Sequence, residues 1–106
     1  MLIGELIQTS TTPVYSPPVP RGGDTGLFAI DALQVSTGSP SLAVEIQHKN
    51  YSETSWGSAG AFSAITATGL STQSVSGLKE QVRLKFTMSG SGDWERIFVL
   101  DPSWED

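Results

Sequence analysis

Residues 81–89 of this chain read QVRLKFTMS, and their strict alternation decides the fold class. The apolar side chains at positions 82, 84, 86 and 88 point to one side of an extended strand, and the polar ones to the other. A strand with one dry and one wet face is typical of an antiparallel sheet that packs on one side. Residues 41–48 repeat the pattern, and no segment shows a sustained helical period. These segments predict a β-sandwich.

Further short strands are separated by turn signals. Residues 25–35 form a longer apolar run. Residues 94–100 are apolar on both faces, which indicates a central strand or one covered by another chain. Weaker strands are expected at residues 2–9, 61–68 and 70–76. The sequence thus predicts an all-β domain over residues 1–106, a single antiparallel, jelly-roll-like β-sandwich of about seven or eight strands.

Two segments depart from the strand pattern. Residues 9–24 contain four of the six prolines, and proline cannot sit in a central strand. This segment is predicted to be an extended proline-rich arm that ends in a flexible Arg21-Gly22-Gly23 hinge. It either lies as a surface loop between the first two strands or reaches a neighbouring subunit. Residues 101–106 form a C-terminal tail, in which Trp104 either folds back on the sandwich rim or anchors a partner.

Composition excludes several classes of function. The 106 residues contain no cysteine and a single histidine, so disulfides, thiolate metal sites and multi-histidine metal sites within one chain are impossible. The formal net charge is −5, and an acidic chain is not expected to bind nucleic acid through its phosphates. We expect no membrane span, because no apolar run is long enough. The first basic residue is Arg21, so we expect no signal peptide either.

Motifs for catalysis are weak. His48 is the only residue suited to act as a general base near neutral pH, and no Gly-x-Ser-x-Gly elbow accompanies it. Asp93 and Glu95 flank a Gly-rich turn, and we interpret them as solvated acids rather than as a glycosidase pair. Calcium, phosphate-loop and dinucleotide-binding patterns are absent. We therefore predict a protein that is not an enzyme, with no catalytic residues, no cofactor and no metal ion.

Surfaces for binding are better supported by the sequence. Tyr51, Trp56 and Phe62 lie in or near a Gly/Ser-rich connection, where an exposed aromatic ring could stack on a sugar. Alternatively, Trp56 fills the core. In the arm, Tyr15 on a stiff extended backbone loses little entropy on docking. The residues predicted to contact other subunits or a shell are Tyr15, Pro17, Pro18, Arg21 and Trp104.

Several stretches together carry a resemblance: the opening strand, YSPPVPRGGD, LFAIDALQV, VEIQHKN, VRLKFTMSG and the closing FVLDPSW. They resemble small all-β virion proteins of tailed bacteriophages, most of all capsid decoration (cement) proteins. The resemblance implies a protein made in the host cytoplasm without a signal peptide and carried on the outer capsid surface of the virion. There it would bind the major capsid protein as a homo-oligomer, a dimer or trimer, and stabilise the head, with no nucleic-acid or membrane partner.

Three alternatives stay open. The chain could be a carbohydrate- or receptor-binding sandwich of a phage tail fibre or tail tip. It could be another head–tail structural protein. It could also be a small hydrolase, which would need His48 beside a serine and an acid in a pocket. Aromatic residues clustered on one loop face would favour the binding module, whereas a buried Trp56 would favour the structural subunit.

Overall fold

The computed structural model describes residues 4–8 and 11–105, and for residues 5–8 it describes the backbone. Residues 1–3, 9, 10 and 106 lie outside the described residues. Parts of three predicted segments are therefore not described: the ends of the strand at 2–9, the start of the arm at 9–24 and the last position of the tail at 101–106.

The described residues form ten strands. They are β1 (Gly4–Gln8), β2 (Val14–Tyr15), β3 (Val19–Pro20), β4 (Thr25–Val35), β5 (Leu42–Lys49), β6 (Gly57–Ala61), β7 (Gly69–Val75), β8 (Gln81–Met88), β9 (Glu95–Val99) and β10 (Ser103–Glu105). Within this part of the chain, no helix is long and apolar enough to cross a membrane.

The strands pair as one long hairpin that is wrapped around itself. Antiparallel ladders join β1 to β9, β2 and β3 to β8, β4 to β7, and β5 to β6. Two more ladders, β4 with β9 and β5 with β8, close the wrap. Since β2 and β3 follow each other along one edge of β8, they act as a single interrupted strand. This pairing is that of a jelly roll, and the predicted all-β antiparallel sandwich is confirmed.

Two sheets result, which we call sheet I and sheet II. Sheet I contains β1, β9, β4 and β7, with the short β10 beside β4, and sheet II contains β2 and β3, β8, β5 and β6. In β8, each of the predicted inward positions from Val82 to Met88 is buried. The core between the sheets consists of Phe28, Ile30, Ala32, Leu42, Val44, Ile46, Phe62, Ile65, Val75, Leu78, Val82, Leu84, Phe86, Met88, Ile97 and Val99. Burying each large apolar side chain contributes about 1.5–3 kcal/mol.

The proline-rich segment lies along the edge of sheet II. Between β2 and β3, the Ser16 amide donates to the Leu84 carbonyl at 2.9 Å, and the Leu84 amide donates to Ser16 Oγ at 2.8 Å. An edge position suits proline, because the missing N–H faces solvent rather than a neighbouring strand. The described part of the arm is therefore extended and hydrogen-bonded to its own sandwich.

The glycines after Arg21 have a different role from the predicted hinge. A Cβ on Gly22 would lie 2.5 Å from Cδ1 of Trp104, and one on Gly23 would lie 2.5 Å from the carbonyl oxygen of Glu105. Neither glycine has a positive φ. The two glycines serve close packing of β10 against the arm, so the interpretation as a flexible hinge is corrected.

The predicted strand at 61–68 is also corrected. β6 ends at Ala61, and beyond it the pairing is an isolated bridge between Leu42 and Ile65. Phe62 and Ile65 are both buried. Their side chains fill the end of the core from an irregular segment, which explains why the sequence there is apolar without forming a ladder.

Candidate functional site

The outer face of sheet II holds an arginine between two aromatic rings. The guanidinium carbon of Arg83 lies 4.2 Å from the centroid of the Tyr15 ring and 4.4 Å from that of the Trp56 ring. Arg83 Nε also donates to Gln47 Oε1 at 2.8 Å. We call Tyr15, Arg83 and Trp56 the aromatic–arginine stack. Two cation–π contacts and one hydrogen bond fix the guanidinium in place.

Local strand pairing builds this stack. Tyr15 lies opposite Lys85 in the β2–β8 ladder, on the same outer face as Arg83. Trp56 directly precedes β6, which pairs with β5 next to β8. The stack therefore joins the edge strand of the arm to the turn between β5 and β6.

A shallow cavity of about 230 Å³ opens on the same face. Its lining includes the methyl groups of Ala43 and Ala61, the hydroxyl of Thr87, and the charged side chains of Glu45 and Lys85. Glu45 and Lys85 are opposite each other in the β5–β8 ladder. The cavity thus combines an apolar floor with a hydrogen-bond acceptor and a cation.

Gln47 connects the cavity to the stack. Its Oε1 accepts the hydrogen bond from Arg83, and its Nε2 donates to Glu45 Oε1 at 2.6 Å. Gln47 is buried, so its amide is held in one orientation by both partners. These two hydrogen bonds connect Glu45 at the cavity with Arg83 in the stack.

Basic residues are concentrated on this face. Lys49, Arg83 and Lys85 are three of the six basic residues in a chain of net charge −5. All three occupy outward positions of β5 and β8, where Glu45 is their acidic neighbour. Lys49 Nζ also lies 5.5 Å from the centroid of the Trp56 ring. The outer face of sheet II is positive although the protein as a whole is acidic.

His48 lies at the end of β5, away from any described serine hydroxyl partner. Its Nδ1 accepts a hydrogen bond from the Lys79 amide at 3.3 Å. Burial lowers the pKa of His48 first, and the Lys79 cation lowers it further, while Glu53 opposes both. The imidazole is therefore neutral at pH 7 and its Nδ1 is engaged by backbone.

The outer face of sheet I is apolar. Leu27, Leu70, Phe98 and Leu100 are exposed there, and Leu70 is 64% accessible. Leu70 and Phe98 lie on either side of Asp31 in register, and the Leu100 amide donates to the Ala29 carbonyl in the next row. We call these four side chains the apolar face of sheet I. β9 lies between β1 and β4. The segment 94–100, which the sequence shows to be apolar on both faces, therefore contains a central strand.

Glu95 corrects the sequence interpretation of a solvated acid. Its side chain is fully buried, and neither carboxylate oxygen has a hydrogen-bond partner among the described residues. Burial, followed by the nearby Asp93 carboxylate, raises the pKa of Glu95 to about 7. A position after a Gly-rich turn looked solvated, but the side chain points between the sheets because β9 places it on the inner face.

The five predicted interface residues are distributed over different parts of the surface. Tyr15 belongs to the aromatic–arginine stack, and Pro17 and Pro18 are exposed between β2 and β3. The Arg21 guanidinium donates to the Leu78 carbonyl and lies 3.7 Å from Asp24.

Trp104 packs against its own chain. Its ring meets Phe28 edge to face, with centroids 5.9 Å apart, and is half-buried against the core. Of the two placements that the sequence allowed for Trp104, the structure has the one on the rim of the sandwich.

The predicted aromatic group of Tyr51, Trp56 and Phe62 is not assembled as a group. Phe62 is in the core and Tyr51 is exposed in the turn, so Trp56 is the one that reaches the outer face of sheet II. Sequence reasoning missed its actual partners, Tyr15 and Arg83. The outward position of Arg83 in the clearest strand was the available signal.

The described side chains include no group of three or more His, Asp or Glu that could hold a metal ion. Comparison of the chain with models of known protein families, with curated proteins and with solved structures finds no match. The two outer faces of the sandwich are the surfaces that bear on function.

Proposed function

We propose that this protein is a structural subunit without catalytic activity, a capsid decoration (cement) protein of a tailed bacteriophage. The observation that supports it best is the apolar face of sheet I. Soluble monomers rarely expose contiguous apolar patches larger than a few hundred Å², and larger patches mark protein–protein contacts. Four exposed large apolar side chains lie on this one face, with Asp31 between Leu70 and Phe98.

The occupant we propose for this face is a second copy of the chain. Two flat sheet faces can stack about 10 Å apart, as the sheets of a sandwich do. A self-complementary contact of this kind closes into a symmetric oligomer. Asp31 in the centre of the face limits its affinity, because its carboxylate would lose water on contact.

The same subunit would hold the major capsid protein through the arm edge of sheet II. Pro17, Pro18 and Arg21 are exposed there, and Tyr15 lies beside them on β2. Weak contacts from each subunit gain from being linked, because an oligomer that engages several lattice sites binds about 10²–10⁴ times more tightly. Assembly through sheet I and attachment through the arm are compatible, since they use different sheets.

Light scattering after size-exclusion chromatography tests the assembly step. Wild-type protein is expected to be a dimer, because a self-complementary face pairs two copies. Phe98→Glu is expected to be monomeric because a carboxylate replaces an apolar contact. Tyr51→Glu is the matched control, since Tyr51 is 60% exposed but lies in a turn outside the face. A monomeric wild-type protein, or an equal loss in the control, contradicts the proposal.

The arm is tested separately on purified phage heads that lack the protein. The double variant Pro17→Ser, Pro18→Ser keeps the β2 and β3 ladders and is expected to occupy fewer sites than wild type. Unchanged occupancy would remove the arm from the proposal.

A carbohydrate- or receptor-binding module is the second candidate. The aromatic–arginine stack on the outer face of sheet II favours it. Assembly through sheet I leaves this face open, whereas the capsid contact through the arm edge shares Tyr15 with it.

A further inference from the structure

We propose that the outer face of sheet II binds an acidic saccharide, a sugar chain that carries carboxylate groups. Arg83 is the anchor for the carboxylate, and the cavity beside Lys85 receives a sugar ring. This inference goes beyond assembly, and it names the ligand class for the second candidate function.

The guanidinium of Arg83 is preorganised for binding an anion. The Tyr15 and Trp56 rings contact its guanidinium, and its Nε donates to Gln47. Its Nη1 and Nη2 groups donate to no atom in the described part of the chain. Those donors form the planar fork that matches a carboxylate with two parallel hydrogen bonds. Because the side chain is already ordered, binding costs less conformational entropy.

The positive charge on the outer face of sheet II favours an anionic ligand. Lys85 makes no hydrogen bond or ion pair with the rest of the described chain, and it lies two residues from Arg83 on the same face. Their Cα atoms are about 7 Å apart along the strand. With Lys49 the face has three cations against Glu45, which attracts anions to a protein that otherwise repels them.

The cavity selects hydroxyl groups beside the anion. Glu45 accepts hydrogen bonds there and would repel a second phosphate or carboxylate at the same place. Thr87 offers a hydroxyl, and the methyl groups of Ala43 and Ala61 offer an apolar floor for the C–H face of a ring. A volume of about 230 Å³ is small and open, so it suits one ring of a longer chain. A carboxylate next to several hydroxyls is the chemistry of an acidic sugar.

Hydrogen bonds through Gln47 join the cavity and the aromatic–arginine stack into one site. Glu45 is held by Gln47, and Gln47 is held by Arg83. The acceptor in the cavity and the anchor in the stack are therefore fixed relative to each other. A ligand that satisfies both at once gains from this order, whereas a simple anion uses the anchor alone.

Titration followed by amide NMR shifts tests the proposal on the full chain. The probes are a uronic-acid oligosaccharide, a sialylated oligosaccharide, a neutral oligosaccharide of equal length, and inorganic phosphate. At least one acidic oligosaccharide is expected to shift amides within residues 43–47 and 81–87 at millimolar concentration, and more strongly than the neutral one. Arg83→Gln is expected to weaken this binding about tenfold or more, the effect of losing charge-assisted hydrogen bonds.

Arg96→Gln is the matched control, because it removes the same charge from the outer side of sheet I. An equal loss in that control means attraction by net charge alone and overturns the site. Equal binding of phosphate or of the neutral oligosaccharide, or no shift with either acidic probe, also overturns it. Repeating the titration on Phe98→Glu separates the two proposals, since sugar binding is expected to persist when assembly is lost.

Discussion

Sheet II follows the alternation of its sequence, whereas sheet I partly inverts it. In β8 of sheet II, buried apolar residues alternate with polar outward ones from end to end. In β9 of sheet I, an acid lies inside at Glu95, and Phe98 lies outside. The outer face of sheet II is therefore suited to water, whereas sheet I carries two unfavourable features, an acid in the core and apolar side chains in solvent.

The largest expected effect is that of the Glu95 carboxyl on the free energy of unfolding. The pKa of Glu95 is raised to about 7, so the folded state binds a proton more tightly than the unfolded chain. This proton binding contributes fully to the free energy of unfolding below pH 4.5, the pKa of Glu95 in the unfolded chain. The contribution is lost as the pH rises through about 7, the pKa of Glu95 in the folded state. The difference between about 7 and 4.5 corresponds to about 3 kcal/mol.

Glu95→Gln removes this titration. The variant is expected to be more stable than wild type at pH 8, by up to about 3 kcal/mol, and similar to it at pH 4. Urea denaturation across this pH range measures the difference. A pH profile that is unchanged by the substitution would show that Glu95 is solvated.

Gly23→Ala breaks the packing that completes sheet I. The new Cβ would lie 2.5 Å from the Glu105 carbonyl oxygen, so β10 must move away from the arm. A loss of about 1–3 kcal/mol is expected, as for other overpacked sites. Gly57→Ala is the control, because no atom lies within 4 Å of its Cβ position and its φ is not positive. Thermal unfolding that is equal in the two variants would contradict the packing role.

Tyr15→Ala has the smallest expected effect and tests whether the outer face of sheet II is organised for binding rather than for stability. Loss of one cation–π contact at a partly exposed site costs about 0.5–1 kcal/mol of unfolding free energy. Relaxation of the Arg83 side-chain Nε–H signal is expected to show greater mobility in the variant. If the guanidinium stays as rigid as in wild type, the ring does not hold it.

Sequence predicted sheet II better than it predicted sheet I. The alternation in residues 81–89 assigned the inside and outside of β8 correctly, because one face is dry and the other wet. The same reasoning misplaced Glu95, since a Gly-rich turn before it is typical of solvent. Its burial depends on the pairing of β9 with β4, which no local pattern contains.

The candidate site could be predicted only in parts. The alternation in residues 81–89 puts Arg83 and Lys85 on one strand face, and the Gly/Ser-rich connection indicates Trp56 as a possible sugar-stacking residue. Their meeting with Tyr15 depends on contacts between residues up to 72 apart in the chain, which follow from the pairing of β2 with β8. The spacing of these residues in the sequence does not indicate that they are in contact in the fold. The crowding at Gly22 and Gly23 was hidden for the same reason, since their neighbours come from β10.

The wrapped hairpin has a consequence for how fast the molecule reaches its native state. Its outermost ladder joins Gly4 to Val99, and the ladders nearer the tip close progressively shorter loops. Proteins dominated by such distant pairings fold in about milliseconds to seconds, because much chain entropy is lost before the first rewarding contact forms. During that interval the apolar side chains of the core and of the outer face of sheet I are both exposed to other chains, and after folding only the outer face stays exposed.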